Sequence, residues 1–227
     1  MITPNALLTF ALCAIGCFLV CGIPCGLIIA RVSAHIDVRD VGSGNIGMTN
    51  VARSAGAGAA VATLLCDAGK GFLAIMLSRL ALAHFAFGGD WASTLPTAEL
   101  GWMTTSLYAL CVLGHVFSPY LGFHGGKGIS VGLGAGLGFC WNATLSMLGV
   151  FIVLAVPSGY VSLGSIFAAL SLSFFSAAFG VRGMALVPLC LVSATVVWAH
   201  RSNIKKLLAG SERKFSVRHK DSSEDGR

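Results

Sequence analysis

Three short clusters of glycines, hydroxyls, amides and basic side chains are the places where this sequence could do chemistry. The first is Gly42, Ser43, Gly44, Asn45, Gly47, Thr49, Asn50 and Arg53, all within twelve residues. Glycines let a backbone turn its N–H groups toward a phosphate, and an arginine completes such a site with a two-pronged donor. The second sets Gly114-His115 ahead of Gly125-Gly126-Lys127-Gly128, a turn that resembles a phosphate cradle and carries a cation. In the third, His200 and Asn203 lie three residues apart, so on a continuing helix they share a face and can together hold a hydroxyl or a phosphate oxygen. Ser162 and Ser165, just past Pro157, add hydroxyls that serve equally well as helix caps.

Several common patterns fit these residues only by letter. Gly42, Gly44 and Gly47 satisfy the dinucleotide fingerprint, but an apolar helix follows instead of a βαβ unit. The Gly126-Lys127 turn has Leu121 where a Walker loop has its first glycine, and Gly128 where it has Ser or Thr, which argues against nucleotide hydrolysis. His35 and Asp40 match the H-x4-D pattern of a large class of glycerolipid acyltransferases, yet Asp37, Arg39 and Asp40 read more simply as charges flanking a membrane. All eight cysteines fall inside apolar stretches without zinc-like spacing. Cys13, Cys17, Cys21 and Cys25 recur every fourth residue and form a packing stripe. No metal and no cofactor are expected.

The elements that must position these clusters are membrane helices. Charged residues make up 11% of the 227-residue chain, against about 25% in a soluble domain, and mean hydropathy is +0.83. Between Gly128 and Ala199 the only charged side chain is Arg182. Ala6 to Ala30 carries no charge and exceeds the roughly 20 residues that cross the hydrocarbon. It lacks a basic leader and outruns the apolar core of a signal peptide, so it is expected to stay as an anchor. Further apolar segments run over 55–87, 102–118, 129–157, 160–181 and 183–199, and Cys140-Trp141-Asn142 divides the fourth in two. The expectation is an all-α, polytopic protein of about seven transmembrane helices.

Charge sets the orientation. From Arg201 to Arg227 there are eight Lys or Arg against four acids, which puts that end in the cytoplasm and, for seven helices, the N-terminus outside. The three clusters then share the cytoplasmic face. The basic end has no interleaved aromatics, so anionic headgroups suit it as well as nucleic acid, and no nucleic-acid partner is expected. Asp67 and Lys70 lie inside an apolar segment and must pair or face a wet cavity. A transporter of phosphorylated metabolites would also use such groups, but it calls for midplane binding and internal repeats, and no repeat is found.

Taken together the clusters resemble the bacterial acyl-phosphate:glycerol-3-phosphate acyltransferase family. Residues 42–53 are similar to its GSGNIGATNxxR, residues 114–128 to its GHxF and GGKG elements, and residues 200–214 to its H+xNIxRLxxGxExK. Asp67 to Gly71 resembles its DxxKG. The similarity runs from about Pro24 to Lys214, with departures at Met48, His124 and Val131; His124 replaces a basic residue and puts one phosphate-side charge in doubt. The resemblance implies a single domain over residues 1–214, a basic tail over 215–227, and an enzyme of the bacterial inner membrane. It would move an acyl group from acyl phosphate to glycerol 3-phosphate, with no metal. The candidate catalytic residues are His200, Asn203, Ser43 and Arg53. Gly44, Asn45, Thr49, Asn50, His115, Gly125, Gly126, Lys127, Gly128 and Ser165 are the candidate phosphate-binding set, with Asp67, Lys70 and Glu212 in support. The alternating glycines Gly132, Gly134, Gly136 and Gly138 would either leave a channel for the acyl tail or allow close helix packing.

Overall fold

The computed structural model describes residues 3–215, and nearly all of the expected basic tail lies outside the described residues. Among those residues the secondary structure is helical throughout, with no strand. Thr3 starts α1 (Pro4–Gly22): its hydroxyl accepts the Ala6 N–H at 3.2 Å, and Pro4 supplies a preset φ where no N–H is needed. Pro24 then interrupts the first apolar run, because it lacks an N–H and its ring crowds the preceding turn. The chain resumes as α2 (Cys25–Ala34).

That break frees the Gly22 and Ile23 carbonyls in apolar surroundings, where each unpaired polar group costs several kcal/mol. Both are recaptured. The Ser118 hydroxyl donates to the Gly22 oxygen at 2.6 Å, and the Lys70 ammonium donates to the Ile23 oxygen at 2.6 Å. Lys70 sits on α3 (Met48–Ala81), a helix interrupted by non-helical Gly56 (φ 88°, ψ 173°) and ended by a π turn at Leu82–Ala86. The same ammonium lies 2.7 Å from the buried Asp67 carboxylate and 3.4 Å from His115 Nδ1, so the expected intramembrane pair is formed. Asp67, Lys70 and His115 thereby tie the broken first span to α3 and to α4 (Gly101–Val116).

Next come α5 (Ile129–Phe139), α6 (Trp141–Ser158), α7 (Val161–Ala178), α8 (Val187–Ala199) and, after a bend of 57°, α9 (Arg201–Leu208). The division of the fourth apolar segment falls at Cys140, as its sequence indicates. Among the described residues four helical stretches, Pro4–Ala34, Met48–Ala86, Trp141–Ser158 and Val161–Ala178, are long and apolar enough to cross a membrane, or five with the bent α8–α9 pair. The outer faces present large apolar side chains such as Val153, Val156 and Phe174.

Glycines bring α3 and α5 together. A Cβ on Gly134 would strike the Ala68 backbone, and one on Gly71 would meet the Val131 carbonyl at 2.6 Å. Close packing is therefore the role of Gly134, and of Gly136 and Gly138, whose added Cβ atoms would meet Thr144 and Ile75. Gly132 alone of the four borders the internal cavity described below. One intramembrane charge escapes the sequence patterns: buried Arg79 donates to the Gly138 carbonyl at 2.6 Å and to Thr94 Oγ1 at 3.1 Å, with Trp91 beneath its guanidinium. It caps the end of α5. Helices α4, α5, α6, α7 and α8 each pack on the next, and α8 returns to α4, closing a ring around a central space.

Replacing Lys70 by Met would leave the Asp67 carboxylate buried without a counter-charge and remove one of the donors to the Ile23 carbonyl, at a cost of about 3–5 kcal/mol. Thermal unfolding in detergent should show a large drop in Tm for Lys70→Met and almost none for Lys205→Met at the exposed end of α9; equal Tm values would contradict the role given to Lys70.

Candidate active site

A cavity of about 600 Å³ occupies the ring. Its mouth is lined by Ser43, Arg53, Lys127, Asn203 and Lys206, and its inner part by residues such as Leu133, Met147, Phe151 and Leu172. The volume is in the range of small-molecule sites.

The first polar loop is held from below by a small apolar cluster of Leu27, Ala30, Val38, Ile46 and Val51. Asn50, buried on the first turn of α3, clamps it from the side. Its amide donates to the Val38 and Val41 carbonyls at 2.9 and 3.0 Å, and its oxygen accepts the Ser43 N–H at 2.9 Å. Gly42 (φ +64°) turns directly over that oxygen, leaving no room for a Cβ. Asn50 is thus committed to shaping the loop, which corrects the expectation that it holds phosphate. Asn45 behaves similarly, accepting the Gly47 N–H at 2.9 Å while bordering the cavity.

The anion-seeking groups of this loop are others. The helix beginning at Met48 has no side-chain cap, and its first residues, Met48 and Thr49, border the mouth with Ser43, which puts the positive end of its dipole there. The residues after Gly47, expected as loop, are helical up to Gly56, which places Arg53 one turn along. Arg53 is exposed and donates to the Arg213 carbonyl at 3.4 Å. Gly44 turns away (φ +68°), gives its N–H to the Val41 carbonyl at 3.1 Å and does not border the cavity.

The second cluster divides in the same way. Gly125 and Gly126 donate their N–H groups to the Val116 and His115 carbonyls at 2.9 and 3.1 Å, and a Cβ on either would strike His115. They seat the turn against α4 and present no N–H to an anion, contrary to the phosphate-cradle expectation. The seated turn aims Lys127 into the cavity, and Gly128 (φ +83°) starts α5 at its wall. His115 and Asp67 reach the cavity; Lys70 does not. His124 binds the Gly122 carbonyl at 2.6 Å on the exposed surface, so the charge placed in doubt by this substitution is not part of the mouth.

The third cluster closes a network. Lys127 donates to the Asn203 side-chain oxygen. The Asn203 amide donates to Glu212 Oε1 at 2.7 Å, and the Ser162 hydroxyl donates to the same oxygen at 2.9 Å. Ser165 faces the cavity but gives its proton to the Val161 carbonyl at 2.8 Å. His200, buried where α8 ends, lies with Nδ1 2.8 Å from the Val196 carbonyl. A carbonyl only accepts, so Nδ1 carries the hydrogen and Nε2 keeps its lone pair. Burial lowers this imidazole to about 4, with the Val196 bond and Glu212 opposing and Lys127 adding to the fall, so it is neutral at pH 7. Burial also lowers Lys127, to about 8, against the pull of Glu212 and with help from Lys206 and Arg53.

His35 and Asp40 lie outside the cavity, and Asp37 is bound by Arg31 and Arg39 at 2.6 Å each. Mouth residues outside the candidate set are Ser130, Lys206, Ser211 and Arg213. Of these only Lys206 stands at a fixed position of the third motif, three residues beyond Asn203 on one helix face. Among the described residues no group of three His, Cys, Asp or Glu is arranged to hold a metal ion.

The sequence profile of the glycerol-3-phosphate acyltransferase family matches residues 11–210. The glycerol-3-phosphate acyltransferase of Geobacter sulfurreducens is 36% identical over 200 residues, covering 88% of this chain and 94% of that protein. The enzyme of the same name from Rhodopseudomonas palustris strain BisB5 is 39% identical over 190 residues, covering 84% and 88%. The crystal structure of PlsY (YgiH), an integral membrane glycerol 3-phosphate acyltransferase in its glycerol 3-phosphate form, is similar with a TM-score of 0.79 at 31% identity, over 92% of this chain and 96% of that one. Its lysophosphatidic acid form gives 0.76 at 30%.

Lys127 is charged below about pH 8 and neutral above it, so affinity for inorganic phosphate at the mouth should hold up to that pH and weaken beyond it, by at most about tenfold per pH unit. In Lys127→Arg the guanidinium stays charged and the decline should vanish. Calorimetric Kd values between pH 7 and 9.5 test this; a native curve as flat as that of the variant would contradict it.

Proposed function

Because the chain belongs to the glycerol-3-phosphate acyltransferase family and is a multi-pass membrane protein, we propose that it transfers an acyl group from acyl phosphate to the sn-1 hydroxyl of glycerol 3-phosphate. The products are 1-acyl-glycerol 3-phosphate and inorganic phosphate. The observation that carries this is the continuity of one cavity from a cationic mouth to an apolar slot. Both substrates bring phosphate and one brings an acyl chain, so a site for them needs anion holders at the rim of a greasy pocket.

In this mechanism Arg53, Lys127, Ser43, Thr49 and the first N–H groups of α3 hold the two phosphates. Charge-assisted bonds of this kind contribute roughly 1.5–3 kcal/mol each when well placed. The donor is a mixed anhydride, so no acyl-enzyme is required. The sn-1 oxygen attacks the acyl carbon, the bond from that carbon to the phosphate oxygen breaks, and inorganic phosphate leaves. The hydroxyl proton passes to the departing phosphate or to His200 Nε2, which the Val196 bond keeps free to accept it. Ser162 holds Glu212, Glu212 holds Asn203, and Asn203 holds Lys127, so these groups act mainly by orientation. Counting the shorter α4 and α5 with the five longer spans, the protein crosses the bacterial inner membrane seven times, N-terminus outside, with the mouth on the cytoplasmic side, in line with the basic residues that follow α8. It works on soluble glycerol 3-phosphate as a single domain.

Purified protein in detergent should release phosphate from a long-chain acyl phosphate only when glycerol 3-phosphate is added, with matching lysophosphatidate and no turnover of acyl-CoA. Equal use of acyl-CoA would overturn the donor assignment. Arg53→Lys should raise the glycerol 3-phosphate KM or lower kcat by about tenfold or more, because a point charge cannot copy the planar fork; full activity would remove Arg53 from the phosphate site.

A further inference from the structure

One face of α7 changes character along its length. Ser162 and Ser165 lie at the mouth, Ala168 and Ala169 follow, and Leu172 comes last, all bordering the cavity. The opposite face carries large exposed side chains, Phe167, Leu170 and Phe174. Between Ser162 and Ala169 the cavity-facing positions are small, and larger side chains there would fill the slot. From Ser162 to Leu172 the helix rises about 15 Å.

Three buried side chains from different helices border the slot away from its mouth. At Cys140 the chain turns from α5 into α6, and the two helices meet there: a Cβ on Gly136 would be 3.1 Å from Thr144 Cγ2. Tyr108, buried and stacked on Phe139 with ring centroids 5.0 Å apart, forms the α4 side, its hydroxyl 3.4 Å from where a Gly132 Cβ would lie. Leu172, 2% exposed, borders the slot from α7. Tyr108, Thr144 and Leu172 come from three helices of the ring, each locked by its own packing.

We propose that Leu172, together with Tyr108 and Thr144, sets the maximum acyl-chain length of the donor, and that Ala169 keeps the slot open above it. This rests on the acyl-phosphate reading above. A donor whose chain ends short of Leu172 fits without rearrangement. One methylene too many meets these side chains, and an apolar pocket that they limit rejects such an addition by about tenfold or more in kcat/KM. The residues act on which donor is accepted, not on the bond-making step at the mouth.

The test is the kcat/KM profile over saturated acyl phosphates from octanoyl to eicosanoyl, with glycerol 3-phosphate as acceptor. Leu172→Ala should extend the cutoff toward longer donors, raising the ratio of long-chain to short-chain kcat/KM by about tenfold. Ala169→Leu should move it the other way, with octanoyl phosphate still used and the longest donors that the native protein accepts lost. A residue with a merely structural role would lower every donor alike and leave the ratio unchanged. If either variant fails to fold, the other decides: a native profile in the folded variant overturns the proposal. If the native protein turns over no acyl phosphate of any length, the functional reading itself falls; if it does and the profiles coincide, only the ruler falls.

Discussion

The carbonyls of Gly22 and Ile23, freed by Pro24 in the middle of an apolar span, are the constraint on which the arrangement turns. In apolar surroundings such carbonyls need protein donors, and Ser118 and Lys70 supply them, with the Cys25 N–H as a second donor to the Ile23 oxygen. Lys70 brings its own burden, a cation in hydrocarbon, which Asp67 offsets at 2.7 Å. His115 stands next to both, and its ring and carbonyl leave space beside them for glycine alone, which is what Gly125 and Gly126 supply. The turn that results delivers Lys127 to the cavity. One broken helix is thereby connected, through a chain of satisfied polar groups, to a cation at the proposed reaction site.

The site depends on contrast between its two ends. At the mouth, helix α3 presents an uncapped N-terminus, and Arg53, Lys127 and Lys206 add positive charge. Deeper in, the walls are apolar and small residues hold the slot open. The low polarity of this interior strengthens every charge pair at its rim, and it also explains why Lys127 is pushed down to about 8 and His200 to about 4. A neutral imidazole with a fixed Nδ1–H, next to a lysine held by an amide, is arranged to take a proton without carrying charge beforehand.

Much of this was legible in the sequence. Charge depletion and apolar run length gave the helical membrane class, the Cys140 interruption gave the α5–α6 division, and the three clusters gave the residues that meet at the mouth. What the sequence did not reveal was which polar groups face the anion and which serve the fold. Asn50, Gly125 and Gly126 look like phosphate ligands by type, yet their donors are spent on backbone carbonyls. That distinction depends on where distant carbonyls fall, which no local pattern encodes. Arg79 was invisible for a related reason: its partner is the freed end of a helix 59 residues away. The cavity-facing stripe of α7 was likewise hidden, since small and large apolar residues read alike in a hydropathy window.

The most direct measurement of whether acyl chain and phosphate share one cavity is photolabelling. A long-chain alkyl phosphonate with a mid-chain diazirine, added to the detergent-solubilised protein, should mark the cavity-facing side of α6 at Met147, Leu148 or Phe151, and unlabelled acyl phosphate should suppress the marking. Labels confined to the outward side of the same helix, at Val153 and Val156, and insensitive to acyl phosphate, would show that the chain lies in the surrounding lipid and that the cavity is not its site.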